Sequence, residues 1–185
     1  MRIIAGRFRG TKLVAPKDDS VRPTSDRARE ALFNVLAHGI DGLEIEGARV
    51  LDLFAGTGAL GLEALSRGAR YCLFIEQSAA ARGLLRRNVE ALQLTGVTRI
   101  WRRDATKLGP ASNLEAFDLM FLDPPYGKGL GELALSAAHQ GSWIKPGGIA
   151  VLEERTGAEV PIPTGYEKLD VREYGDTQVI YLRAQ

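Results

Sequence analysis

From Arg49 onward the chain alternates short apolar runs with stretches of helical periodicity, and this alternation restricts the fold more than any other feature. Residues 49–54 (RVLDLF), 71–75 (YCLFI), 98–102, 117–122 (FDLMFL) and 149–152 read as strands. Between them the spacing predicts helices over 57–67, 78–94 and 130–140. In the second of these, apolar residues fall at 81, 84, 85, 89 and 92, and Ser78 stands where an N-cap belongs. Strands this apolar must be covered on both faces, so the pattern predicts a mostly parallel sheet with helices on each side. The last segment breaks the rule. Residues 166–172 and 178–182 are β-rich with only Glu173-Tyr174-Gly175-Asp176-Thr177 between them, which predicts an antiparallel hairpin appended to the parallel sheet.

The first 45 residues read as a separate unit. Basic and apolar residues mix around Gly6 and Gly10 over 3–14, a small hairpin by pattern, and 16–23 is a polar linker. Thr24 or Ser25 caps a predicted helix through about Ala37, with Ala28, Leu32, Val35 and Leu36 as its apolar stripe. Net charge is +1, yet residues 1–30 carry an excess of four positive charges, leaving the remainder net acidic. Arg7, Arg9 and Lys12, with Phe8 among them, are candidates to follow a phosphate backbone; Arg22, expected near the mouth of an active site, and Thr24 complete the substrate-binding candidates. Arg86, Arg87, Arg102 and Arg103 read as ordinary exposed positions, and Trp101 and Trp143 as packing residues.

Several classes are set aside. Cys72 has no second cysteine to pair with, and no Cys/His group has metal-ligand spacing, so no metal is expected. His38 and His139 lack local partners. No run approaches the roughly 18 apolar residues of a membrane span, and the first residues do not form a signal peptide. A monomer in a reducing cytoplasm is the expectation.

Asp52-Leu53-Phe54-Ala55-Gly56-Thr57-Gly58-Ala59-Leu60-Gly61 sets G-x-G-x-x-G between a strand and a helix, the context this motif needs. Such glycines permit a tight turn and close backbone approach, and the free N–H groups at the helix start attract negative groups. Glu76 follows Gly56 by 20 residues at the end of the second strand, where a carboxylate accepts both hydroxyls of a ribose; a dinucleotide enzyme has the same signature. Asp104 ends the third strand, as a solvated acid or as an acceptor for an adenine amino group. Asp52 either fixes the turn or holds the amino-acid part of a ligand. The candidate cofactor-binding set is Asp52, Phe54, Gly56, Thr57, Gly58, Glu76, Gln77, Asp104 and Ala105.

Asp123-Pro124-Pro125-Tyr126 follows the fourth strand. Two prolines remove two N–H donors and stop the strand. A rigid loop alone does not explain a carboxylate and an aromatic bracketing them at the sheet's carboxyl edge, where ligands bind. An aromatic amine is a poor nucleophile because its lone pair is delocalised. If Asp123 and the Pro124 carbonyl each accept one N–H, that pair can turn toward an incoming methyl group, while Tyr126 stacks on the base, a contact worth about 1–3 kcal/mol. Catalysis is then chiefly positioning and preorganised hydrogen bonding. Asp123, Pro124, Pro125 and Tyr126 are the candidate catalytic residues.

Together the glycine turn, Glu76, Asp104 and D-P-P-Y resemble the class I S-adenosylmethionine-dependent methyltransferases that modify amino groups. The segments Arg2-Ile3-Ile4-Ala5-Gly6-Arg7-Phe8-Arg9-Gly10 and Arg22-Pro23-Thr24-Ser25-Asp26-Arg27-Ala28-Arg29-Glu30-Ala31-Leu32-Phe33-Asn34 are similar to the bacterial RsmD family. That resemblance implies a Rossmann-like fold with a seven-stranded, mostly parallel sheet and an antiparallel last strand. It further implies a small N-terminal hairpin-helix extension (1–45) before a catalytic domain (46–185). It also implies S-adenosylmethionine as cofactor and the N2 amino group of a guanine in 16S rRNA as target, within the small ribosomal subunit or its assembly intermediates. D-P-P-Y alone does not choose the base: a DNA adenine or a protein glutamine suits the same geometry, and a non-enzymatic RNA chaperone suits the fold.

Overall fold

The computed structural model describes residues 1–17 and 25–185. Seven strands, β1 (Arg49–Leu53), β2 (Tyr71–Ile75), β3 (Thr98–Trp101), β4 (Phe117–Leu122), β5 (Ile144–Arg155), β6 (Tyr166–Tyr174) and β7 (Thr177–Ala184), form one sheet in the order β3-β2-β1-β4-β5-β7-β6. β1 to β5 run parallel. β7 is antiparallel to both β5 and β6. The strand that follows β6 in sequence thus lies inside it in the sheet, which residue pattern alone does not reveal. β5 is longer than the predicted 149–152, because the Lys145-Pro146-Gly147-Gly148 turn is absorbed into it opposite a register shift between Phe117 and Leu119.

The helices are α1 (Asp26–His38), α2 (Ala59–Ser66), α3 (Ala79–Ala91) and α4 (Leu130–Gln140). Alternate residues of each parallel strand point to opposite faces. Val50, Cys72, Phe74, Leu119, Phe121 and Val151 pack under α1, α2 and α3. Leu51, Leu53, Leu73, Ile75, Met120, Leu122 and Leu152 pack on the other face with Ala134, Leu135 and Ala138 of α4. Two apolar layers explain why the strands read as mostly hydrophobic runs rather than as alternating ones.

Ser25 caps α1, its Oγ accepting from the Ala28 N–H at 3.1 Å, and Ser78 does the same for α3 with Ala81. The buried face of α1 is Arg29, Leu32, Phe33 and Leu36, so Phe33 and an arginine join the predicted stripe while Ala28 and Val35 lie at its margin. Arg29 is fully buried because Glu63 of α2, equally buried, lies 4.0 Å away, with Asp26 at 3.0 Å and the Arg2 carbonyl also accepting from it. Glu63 further accepts from the Ile4 and Ala5 N–H groups and from Arg67.

The segment before α1 makes one antiparallel bridge, Arg2 to Lys12, and lies along α2. The Arg7 N–H donates to the Ser66 carbonyl and the Phe8 N–H to Ser66 Oγ. Gly6 is required there: at φ +83°, a Cβ would stand 1.9 Å from the Ser66 carbonyl oxygen. Val14 is clamped through both backbone groups by Asn88 of α3. The predicted linker over 16–23 lies mostly outside the described residues.

Candidate active site

The order of the sheet reverses at β1, from which β2 and β3 lie on one side and β4 and β5 on the other. Ligands bind at the carboxyl edge beside such a switch point. The turn after β1 begins there with Phe54 at φ 58°, a left-handed conformation unusual for a bulky side chain. Gly56 (φ +57°) has open space where a Cβ would be, so a ligand can approach its backbone from that side. Gly58 and Gly61 serve packing instead. A Cβ on Gly58 would lie 2.2 Å from Leu85, and one on Gly61 would lie 2.5 Å from Phe74 and 2.7 Å from Cys72 Sγ. The α2 helix can sit this close to β2 only without those atoms.

Asp52 points into α2. Its Oδ2 accepts from the Gly61 N–H at 3.0 Å, whereas its buried Oδ1 has no hydrogen-bond partner. Burial pushes its carboxyl well above the usual range; the Gly61 bond opposes this, and Asp123 and Glu76 add to it. The Glu76 carboxylate bridges two turns, accepting from Gly56 N–H at 2.8 Å and Ser78 N–H at 3.0 Å. Each oxygen keeps a lone pair for a further donor. Asp104 caps a 3-10 turn over Ala105–Lys107, its Oδ1 accepting from the Thr106 N–H and hydroxyl, and these bonds hold it below the usual carboxylate range.

The remaining members of the predicted cofactor set are tied into the protein. Thr57 is nearly buried, with its hydroxyl toward Met1 Sδ and its carbonyl accepting from Asn88. Gln77 is exposed, and its carbonyl accepts from Arg82. Ala105 is buried among Leu51, Leu53 and Leu108, with only its backbone left for a ligand.

Asp123 stands one residue beyond Leu122, whose parallel partner on β5 is Leu152, so Glu153 lies beside it. The two carboxyls are hydrogen-bonded. Asp123 keeps part of its surface at the sheet edge, but the surrounding protein dehydrates it. That dehydration, and next the Glu153 carboxyl, push Asp123 well above its usual range. Pro124 is buried and Pro125 exposed. Tyr126 is half-buried, with its hydroxyl 2.8 Å from Thr177 Oγ1 of β7, and the Gly127 N–H donates to Glu154 Oε1. Glu153, Glu154 and Thr177 were not foreseen. The one available signal was two acids directly after the apolar run 149–152.

The structure brings Asp52, Gly56, Glu76 and Asp123 to one edge. It places Arg7 and Arg9 elsewhere, exposed beside Ser66 at the far end of α2, about 10 Å along the helix from the glycine turn. The Phe8 ring packs against the core under the Arg7 guanidinium, 4.9 Å from its centroid. Lys12 is exposed, and Arg22 and Thr24 lie outside the described residues. Arg103 is not an ordinary surface position: its guanidinium lies over Trp101 and Trp143.

The family model described as Conserved hypothetical protein 95 matches residues 1–183. The ribosomal RNA small subunit methyltransferase D of Escherichia coli is 37% identical over 161 residues, 87% of this chain and 78% of that one. The chain belongs to the RsmD family. Its counterpart of the same name from Haemophilus influenzae is 34% identical over 177 residues, 95% of this chain and 89% of the other. Among solved structures, the yhhF protein of Escherichia coli superposes with a TM-score of 0.84 at 32% identity, covering 100% of this chain and 98% of that one. The RsmD fold is that of class I methyltransferases, a Rossmann-like sheet with its last strand antiparallel.

Proposed function

We propose that the chain transfers a methyl group from S-adenosylmethionine to the exocyclic N2 amino group of a guanine in 16S rRNA, in the small subunit or its assembly intermediates. The observation that carries this reading is the Asp123 carboxylate at the tip of β4, one strand from the open Gly56 turn and paired with Glu153.

The residues at the edge fit the cofactor: Asp52 Oδ1 is a buried acceptor with no partner, Gly56 leaves its backbone open, and Glu76 keeps acceptor capacity for ribose hydroxyls. Asp52, Gly56, Glu76 and Asp104 are the residues that would hold it. When bound, S-adenosylmethionine supplies an electrophilic methyl group: the N2 lone pair takes it, the carbon–sulfur pair stays with sulfur, and the N2 proton leaves. The protein's part is to hold the amine. Asp123 and the Pro124 carbonyl accept its two N–H groups, and the buried Pro124 fixes the spacing between these acceptors. Tyr126, held through Thr177, offers its ring to the base. The target base must leave its stack to reach this edge.

Residues 1–45 serve as the docking element, with Arg7, Arg9 and Lys12 on phosphates, in a protein that acts as a cytoplasmic monomer. The test is incubation with labelled cofactor and naked 16S rRNA, small subunits or DNA, followed by mapping of the modified base. Label at guanine N2 supports the reading. Label in DNA or protein, or no label in any sample, refutes it.

A further inference from the structure

The N-terminal segment and the glycine turn meet at one buried side chain. Asn88 of α3 is 1% exposed. Its Oδ1 accepts from the Val14 N–H at 2.7 Å, and its Nδ2 donates to the Val14 carbonyl at 3.1 Å and to the Thr57 carbonyl at 2.9 Å. An amide has one accepting end and one donating end, so the direction in which it points decides what Thr57 meets. Val14 engages both ends and thereby fixes that direction. Released from Val14, the amide can turn its oxygen toward the Thr57 carbonyl, and two acceptors then face each other in a buried place.

Thr57 is where such control matters. It lies between Gly56 (φ +57°) and Gly58 (φ +83°), residues that let the adjoining peptide planes rotate at little steric cost. Hydrogen bonds oppose that rotation. Glu76 holds the Gly56 N–H at 2.8 Å, the Ala55 carbonyl holds the Gly58 N–H at 2.8 Å, and Asn88 holds the Thr57 carbonyl. The Thr57–Gly58 peptide is thus gripped at both polar ends, and of these two grips only Asn88 comes from outside the turn. The Thr57 hydroxyl, 3.7 Å from Met1 Sδ, meets the same end of the N-terminal segment, where the Met1 carbonyl accepts from the Leu13 N–H.

We infer that Asn88 is a positioning residue for the cofactor turn, its amide set by Val14, so that the seating of the N-terminal segment controls how tightly the turn holds the cofactor. This rests on the reading of the Gly56 turn as the S-adenosylmethionine site. With Val14 loosened, Gly56 and Glu76 stay in place, but the Thr57–Gly58 peptide is free to rotate and must be ordered again whenever the cofactor binds. The linkage runs in both directions: cofactor bound at the turn holds the Asn88 amide in place, and through it Val14.

The first arm of the test uses the wild type alone. Amide hydrogen exchange is followed by NMR with and without saturating S-adenosylhomocysteine. The Val14 amide is expected to slow on binding, whereas the Arg7 amide, bonded to the Ser66 carbonyl, is expected to keep its rate. An unchanged Val14 rate, or equal slowing of both amides, overturns the proposal. In the second arm, calorimetry measures the affinity for S-adenosylhomocysteine. Val14→Pro removes the N–H that orients the amide, and Asn88→Asp replaces the donating nitrogen with an oxygen. Each is expected to bind roughly tenfold more weakly. Phe117→Leu, buried in the opposite layer, is the control for stability: it should lower Tm and keep the affinity. Wild-type affinity in Val14→Pro or Asn88→Asp, whatever their loss in Tm, overturns the proposal, as does an equal loss of affinity in Phe117→Leu. Should Val14→Pro and Asn88→Asp fail to fold, the exchange rates of the wild type still decide. A wild type that does not bind S-adenosylhomocysteine at all sinks the cofactor reading of the turn instead, and the role of Asn88 with it.

Discussion

Glu63 ties the N-terminal segment to the fold, and replacing it with glutamine isolates its charge without opening a cavity. Its side chain is 0% exposed, as is that of Arg29, 4.0 Å away; Arg67 lies at 2.9 Å and is mostly covered. The Ile4 and Ala5 N–H groups donate to separate oxygens at 2.9 and 3.1 Å. Removing one partner of a buried ion pair costs about 3–5 kcal/mol, because the other charge stays behind uncompensated. Arg29 keeps Asp26 at 3.0 Å, which argues for the lower end. A glutamine amide in this place can still accept one N–H but must turn its own donor toward the other, an added mismatch. Glu63→Gln is therefore expected to lose about 3 kcal/mol, or roughly 6–12 °C in Tm for a domain of this size. Denaturant titration at neutral pH measures the first figure, and faster hydrogen exchange at the Ile4 and Ala5 amides locates it. A loss below about 1 kcal/mol, with exchange unchanged, would refute the reasoning, since the pair would then be no better than a solvated one.

Four further outcomes are expected. S-adenosylhomocysteine should raise Tm and NAD should not; at 100 times the dissociation constant the gain is about 2.7 kcal/mol by mass action. Asp123→Ala should bind that ligand nearly as well while methyl transfer falls at least about 100-fold, close to 2.7 kcal/mol of transition-state stabilisation. Replacing Arg7, Arg9 and Lys12 together with alanine should weaken RNA binding and flatten its salt dependence by somewhat under about one log unit per lost phosphate contact, leaving the melting shift with S-adenosylhomocysteine intact. Asp52 has a folded-state carboxyl well above its unfolded value, so its contribution to stability is whole in acid and is lost as pH rises through the folded value. Asp52→Asn, unable to ionise, should therefore gain in Tm over the wild type as pH rises above about 4, a trend that melting curves across pH would display or deny.

What was legible in the sequence follows from locality. β4 and α4 lie at the predicted residues because a mostly apolar run closed by two prolines, and a helix capped by Gly141, carry their signals within a few positions. Ser25 and Ser78 cap the helices they precede for the same reason. The glycine turn is readable because each glycine meets a local demand. The illegible parts depend on distant partners. Arg29 looks like a solvated charge until Glu63, 34 residues away, is brought beside it. Glu153 reads as the end of a strand until the register of β4 and β5 sets it next to Asp123. Phe8 looks like a base platform between two arginines until its ring is found packed on the core. Nothing within the hairpin itself tells which of its strands will meet β5.

The position of β7 between β5 and β6 gives the molecule a temporal order. β6 shares no hydrogen bonds with the rest of the sheet except through β7, so during synthesis it has nothing to join until residues 177–184 emerge. The hydroxyl that restrains Tyr126 belongs to Thr177, the first residue of that same strand. A nascent chain complete through β5 therefore possesses its glycine turn, its acids and its prolines, but not yet the Thr177 hydroxyl that meets Tyr126. The strand that joins β6 to the sheet is therefore also the one that brings Thr177 to Tyr126.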